Sequence, residues 1–412
     1  MVGSQIVTMA PAASGLHHCA DVVSSRRSET ASMPWRCAQW LHPIPLVRRR
    51  MPLDRKPLEI DPAEIAQLHW SFRNRWPESG RDDIVLNEGL KRLLGQLHRV
   101  GTRRRPSVCL HPDGCDRKAI RSHEISRRGS LACLAQNGHL VRLALPFNLR
   151  DFPRALQPDQ IGVGKASTFS GLCDHHDNLL FAQLDADQIP DTRTSGLVAA
   201  ARSIYASYGR ALDFAFLYER LMDLAENVPS ASNELRAFLS DLHVQANLEA
   251  EGALLALRSW PCTGSRGAFP ESYFHVLAYR VPNLGFAASG FWDVRYDLNG
   301  HPVGRSNYLE PPQHVAFSVL PDVNGAFVSL VCARGEKSPV DGILRPLIHD
   351  VFCTVEERIW ELALRYCGTL VFNPTVWSAK TAEWREAVVQ FSTQRLLSGH
   401  PMWPNIALPV PI

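Results

Sequence analysis

Three cysteines and one histidine, set in two separated groups, carry the clearest chemistry in this chain of 412 residues. Cys109 and Cys115 bracket the segment LHPDG, whose Pro112 and Gly114 suit a tight turn aiming two sulfurs at one point. Further on, FSGLCDHHDNLLF supplies Cys173 and His176, a spacing that suits a ligand pair on the first turn of a helix. Thiolates and imidazole match the borderline-soft zinc ion, at about 2.3 Å for sulfur and about 2.0–2.1 Å for nitrogen. Four such ligands fill a tetrahedron, so the expected site is closed and structural. A bound zinc contributes on the order of 10 kcal/mol to folding a small unit. His175 and His111 stand as alternatives to His176 for the fourth place.

Between the two groups lies AIRSHEIS. Its alternation places Ala119 and Arg121 on one face of a short strand, Ile120 and Ser122 on the other, and His123 near the strand end. A cysteine pair, a strand bearing a histidine, and a second ligand pair opening a helix resemble the treble-clef zinc fold of the HNH nucleases. The resemblance spans residues 109–178, under a fifth of the chain. It implies that Cys109, Cys115, Cys173 and His176 hold a structural zinc. It also implies that His123 is the general base that activates a water against a phosphodiester, beside a catalytic Mg²⁺ or Mn²⁺. Ser122 occupies the place where that family carries an acid or a second histidine. ASTFSGLC offers Ser167, Thr168 and Ser170 but no counterpart of the family's asparagine. Asp177 and Asn178, directly after His176, are the candidates for a metal-binding residue on the final helix. The other reading of His123 is structural, as a hydrogen-bond partner of a loop carbonyl or as a zinc ligand in place of His176. Glu124 reads either as a second catalytic carboxylate or as a solvated partner of Arg127 or Arg128.

Net charge is +3, which does not mark a nucleic-acid binder. Its distribution is more telling. Between Leu97 and Ser130, nine Lys or Arg stand against three acids. Such a run favours phosphate contact, with DNA or RNA as partner; the alternative is a solvated surface beside a loop. GVGKAS at 162–167 lacks the first P-loop glycine, because Asp159 stands there, and reads as a turn. The chain has no G-x-S-x-G elbow and no H-E-x-x-H motif. Phe291, Trp292 and Tyr296 could stack bases, but at strand spacing they read as core and surface fillers. Glu356 and Glu357 read as solvent-facing and capping. Ten cysteines are too few for a disulfide scaffold. Cys133, Cys332, Cys353 and Cys367 sit among apolar neighbours and read as core, while Cys19 and Cys37 form no ligand pattern. No stretch approaches the ~20 apolar residues of a membrane span, and no secretory signal is evident. The expected location is cytoplasmic.

These groups need elements to position them. Residues 1–55 lack periodicity and read as disordered, and 56–100 as a helical lead-in, with Asp61 as N-cap and Pro62 at the first helical position. The zinc module is expected over 101–190 and a helical hairpin over 191–260. Over 261–412 an α+β domain is expected, with strands in SYFHVLAYRV, ASGFWDVRYDL, QHVAFSVLP and GAFVSLVCA. Thr354 and Glu357 form a capping-box pattern at a late helix, and TAEWREAVVQFST reads as the last one. The fold class is therefore α+β: a treble-clef-like module, a helical hairpin, and a mixed or antiparallel sheet with helices. Two functions fit: a metal-dependent nucleic-acid endonuclease, or a non-catalytic, zinc-stabilised binding or interaction protein.

Overall fold

The computed structural model describes residues 108–112, 114–144, 156–226, 233–259, 274–294, 314–333 and 354–398. The N-terminal segment 1–55, the lead-in 56–100, Arg99, Arg103, Arg104 and Arg105 of the basic run, Cys19, Cys37, Cys353 and Tyr296 lie outside them.

Strands and helices are both abundant, so the chain is α+β. Among the described residues, nine strands fall into two sheets. The small sheet pairs β1 (Arg121–His123) with β4 (Thr168–Ser170) antiparallel, setting Ser122 opposite Phe169 and His123 opposite Thr168. The large sheet contains β2 (His139–Ala144), β3 (Gln157–Gly162), β5 (Phe274–Val281), β6 (Phe286–Asp293), β7 (His314–Asp322), β8 (Gly325–Ala333) and β9 (Thr369–Phe372). Its order is β3-β2-β9-β6-β7-β8-β5, with every pairing antiparallel. The segment between the two ligand pairs thus sends β2 and β3 into the same sheet as the C-terminal strands, through β9.

The alternation of β7 and β8 sorts side chains between two apolar layers. Ala316, Leu320, Phe327 and Val331 face one cluster; Val315, Phe317, Val319, Val328 and Leu330 face the other. Two long helices belong to the first, α2 (Arg193–Glu226) and α3 (Asn233–Ser259), joined as a hairpin. Thr192 starts α2 by accepting from the Ser195 N–H at 3.1 Å. Small residues let α2 lie close on the sheet. Ala199, Ala200 and Ser203 are buried along it, and Ser203 Oγ meets Ser289 Oγ at 2.6 Å and Ser318 Oγ at 3.3 Å.

The second layer is C-terminal: α4 (Val355–Tyr366), α5 (Pro374–Ala379) and α6 (Ala382–Ser398). The capping box expected at Thr354 is present, with Glu357 reaching back to the Thr354 N–H. Trp360 sits at the centre of this layer against Phe286, Phe372 and Trp384. Phe291 and Trp292 of β6 are absorbed by packing, Phe291 on His314 and Trp292 on Tyr366. Cys332 and Cys367 are core residues as expected, but Cys133 is exposed. It lies in the helical turn 127–134, where Leu131 and Leu134 take the inward positions and Ala132 and Cys133 are left outside. Among the described residues no helix is long and apolar enough to cross a membrane.

Candidate metal centre

The first ligand pair sits on a turn closed by its own backbone. Val108 bridges Lys118, the Cys109 N–H donates to the Arg117 carbonyl at 2.9 Å, and the Gly114 N–H donates to the His111 carbonyl at 3.2 Å. Gly114 has φ +76°, a conformation open to glycine and costly for other residues. The second pair opens α1 (Asp174–Phe181): Cys173 is its N-cap and His176 lies in its first turn. Two backbone bonds bring the pairs together, Leu110 N–H to the Gly171 carbonyl and Ile120 N–H to the Leu172 carbonyl, both at 2.8 Å.

The result is one cluster. The ligand atoms of Cys109, Cys115, Cys173 and His176 all lie within 4.8 Å of one another. A tetrahedron with zinc bond lengths has edges of about 3.8 Å between sulfurs and about 3.5 Å between sulfur and nitrogen. Here Cys115 Sγ lies 3.9 Å from Cys173 Sγ. His176 Nδ1 lies 3.3 Å from Cys109 Sγ and 3.5 Å from Cys173 Sγ. The sulfurs are therefore spaced as ligands and not as a disulfide, whose bond is about 2.05 Å. All three cysteines are free thiols. Crowded sulfurs resist joint ionisation unless a cation neutralises them, and this donor set could hold such an ion.

The surroundings favour charge on one of the sulfurs. Burial alone would push the Cys173 thiol up, but the N–H groups of His176 and His175 and the hydrogen bonds from Cys109 and Cys115 outweigh it and hold it down. Cys109 is the other half of that thiol pair, and burial pushes it up to about 11. Its sulfur also accepts from the Cys173 N–H at 3.2 Å. The competing histidines fall outside the cluster. His175 is exposed, and His111 is buried with its ring stacked on His176, centroids 3.9 Å apart.

A second polar group surrounds His123. The Val163 carbonyl lies close enough to favour the protonated ring, while Nε2 is buried without a hydrogen-bond partner. Burial lowers the imidazole pKa, and the charges of Arg202 and Arg127 lower it further, so the ring is neutral at pH 7. Arg202 comes from the first third of α2. Its side chain is buried, pairs with Asp185 at 2.9 Å, lies 3.9 Å from Asp177 and rests over the Phe181 ring. Asp177 is buried, and burial raises its pKa against the pull of Arg202 and Ser122. The Ser122 hydroxyl is close enough to steady that carboxylate yet makes no hydrogen bond of ordinary geometry. Ser122 Oγ, Asp177 Oδ1 and Arg202 Nε are all buried and unpartnered. Buried polar atoms are normally satisfied, so this concentration marks a place where a water, ion or ligand belongs.

Three expectations change here. Glu124 is not a solvated partner of Arg127 or Arg128. It is buried, paired with Arg210 of α2 and accepting from the Thr369 hydroxyl, because the chain turns inward after β1. The alternation drawn from Ala119 fails, since β1 begins at Arg121: Ala119 and Ser122 are buried while Ile120 and Arg121 are exposed. Asn178 is exposed and turned onto its own helix, donating to the Asp174 carbonyl at 2.9 Å, which leaves Asp177 as the inward residue. GVGKAS is the turn between β3 and β4. Arg117, Lys118, Arg121, Arg127 and Arg128 of the basic run are all exposed. Sequence reasoning missed Arg202, Asp185 and Arg210. The available signal was a lone arginine inside the apolar run GLVAAARSIYAS.

The chain matches no protein-family model, no curated protein and no solved structure.

Proposed function

We propose that the chain is a zinc-stapled, HNH-like endonuclease of DNA or RNA, with His123 as its general base. The observation that carries this reading is the state of His123: its pKa is lowered by burial and by nearby arginines, and its Nε2 is buried and unpartnered beside the equally unpartnered Asp177 Oδ1 and Ser122 Oγ. A water held at Nε2 would lose its proton to the ring as it attacks a phosphodiester. Cys109, Cys115, Cys173 and His176 would hold zinc and fix the turn, β1 and α1 relative to one another. Asp177 is the residue that would hold Mg²⁺ or Mn²⁺, and its unpartnered Oδ1 suits a cation that takes one or two carboxylates and completes its shell with water and phosphate. Such an ion supplies positive charge to the phosphate oxygens. Arg127 and Arg128, exposed beside the site, suit the backbone of a nucleic acid. The test is plasmid and RNA cleavage by the wild type and His123→Ala with Mg²⁺ or Mn²⁺. Equal rates would end the assignment.

One observation favours a second reading. Arg202 already lies beside Asp177, and Nε2 of His123 is closed from solvent. On that reading the module is a rigid platform for a partner. Stoichiometric zinc with no cleavage across several metals and substrates would establish it.

A further inference from the structure

Helix α3 is amphipathic in an unusual sense. Its inner face, with Leu239, Ala246, Ala250, Ala253 and Leu257, is buried. Its outer face is not simply polar: Val244, Leu248 and Leu255 are 53%, 55% and 57% exposed. Together with Asp241, Glu251 and Arg258 they form the series 241, 244, 248, 251, 255, 258, all exposed. The steps alternate three and four residues, the spacing of a coiled-coil seam.

The order of residues along that seam identifies what fits it. We propose that the outer face of α3 docks against α3 of a second copy of this chain, antiparallel, about a two-fold axis passing between Glu249 and Ala250. In that register Asp241 of one copy meets Arg258 of the other, twice. Val244 meets Leu255, also twice. Leu248 meets Glu251, again twice, so the two Leu248 side chains lie next to each other across the axis under the Glu251 stems, whose carboxylates reach the rim. A two-fold contact must be complementary to itself. This series is so in both charge and apolarity. A parallel pairing would instead set Asp241 against Asp241 and Arg258 against Arg258. The seam from 241 to 258 is about 25 Å long at 1.5 Å per residue. That is at the small end for a stable interface, so the dimer is reversible and depends on concentration.

Sedimentation of the full chain tests this. The wild type should pass from monomer to dimer below roughly 100 μM. Leu248→Glu should remain monomeric over that range with an unchanged circular dichroism spectrum, since the position is exposed in the monomer. Asp241→Arg should raise the dimer Kd ~10-fold or more, and adding Arg258→Asp should restore it. A wild type monomeric throughout would overturn the proposal, as would a dimer indifferent to Leu248→Glu. Failure of the double swap to restore the dimer would overturn the antiparallel register. None of these readings depends on catalysis or on zinc.

Discussion

The module holds two polar clusters built on opposite terms. The Cys109–Cys115–Cys173–His176 cluster has a complete donor set: four ligand atoms spaced like the corners of one tetrahedron, supplied by a turn and a helix start. The His123 cluster is incomplete, with Ser122 Oγ, His123 Nε2, Asp177 Oδ1 and Arg202 Nε all buried and unsatisfied. A complete donor set closes on one ion and belongs to stability. Polar atoms left unsatisfied in a buried place cost stability, and they persist where something else is to be bound. The two clusters meet on α1, where His176 serves the first and Asp177 the second.

The largest effect should come from breaking the first cluster. Cys173→Ser removes one sulfur from the donor set while leaving a residue able to cap α1. We expect loss of the bound metal and of a stabilisation on the order of 10 kcal/mol in the module. Metal content by mass spectrometry, with hydrogen exchange over 109–181, reads both. Zinc retained at one per chain in Cys173→Ser would remove the distinction between the clusters. His123→Ala should behave in the opposite way. Zinc content and thermal midpoint should stay near wild type, while cleavage falls about 10²–10⁴-fold.

Glu124→Gln probes the joint between the clusters and the rest of the fold. It leaves a partly exposed Arg210 facing a neutral amide, so the loss should fall below the roughly 3–5 kcal/mol of a fully buried pair, at about 1–3 kcal/mol. Equilibrium denaturation should show that loss with zinc still bound. A change under ~1 kcal/mol would mean that Arg210 is served by solvent instead.

The contrast also explains what was legible in the sequence. The cluster of Cys109, Cys115, Cys173 and His176 was readable because a candidate metal site needs particular atoms at short spacings, and a turn and a helix start impose those spacings locally. The hairpin α2–α3 and strands β5 to β8 were readable for the same kind of reason, as periodicity records which face is buried. The chemistry around His123 was not, because its partners arrive from far along the chain. Arg202 follows by 79 positions and Asp185 by 62. Nothing near them announces the contact. Likewise β2 and β3 join the large sheet through β9, and no local pattern in HLVRLA or TLVF names that partner. Cys133 misled because apolar neighbours indicate a buried region without saying which side of a helical turn faces it.

The smallest effect sharpens the account of the second cluster. Burial is the main cause lowering the His123 pKa, and Arg202 and Arg127 add to it by charge. Arg127 is exposed, so Arg127→Gln should change stability little. It removes a positive charge that disfavours imidazolium, so the pKa should rise toward, but not to, the ordinary imidazole value of about 6.5. A general base works when neutral. The acid limb of kcat/KM should therefore lie below pH ~6.5 in the wild type and move upward in the variant, with activity above neutral pH unchanged in its proton dependence. Stability has the same sign. The contribution from a His123 pKa lowered on folding is fully present above the unfolded value of about 6.5 and is lost as pH falls through the folded value. Added salt should shrink the difference between wild type and Arg127→Gln, because an exposed charge is screened. An acid limb that ignores Arg127 would mean that burial alone sets the state of His123.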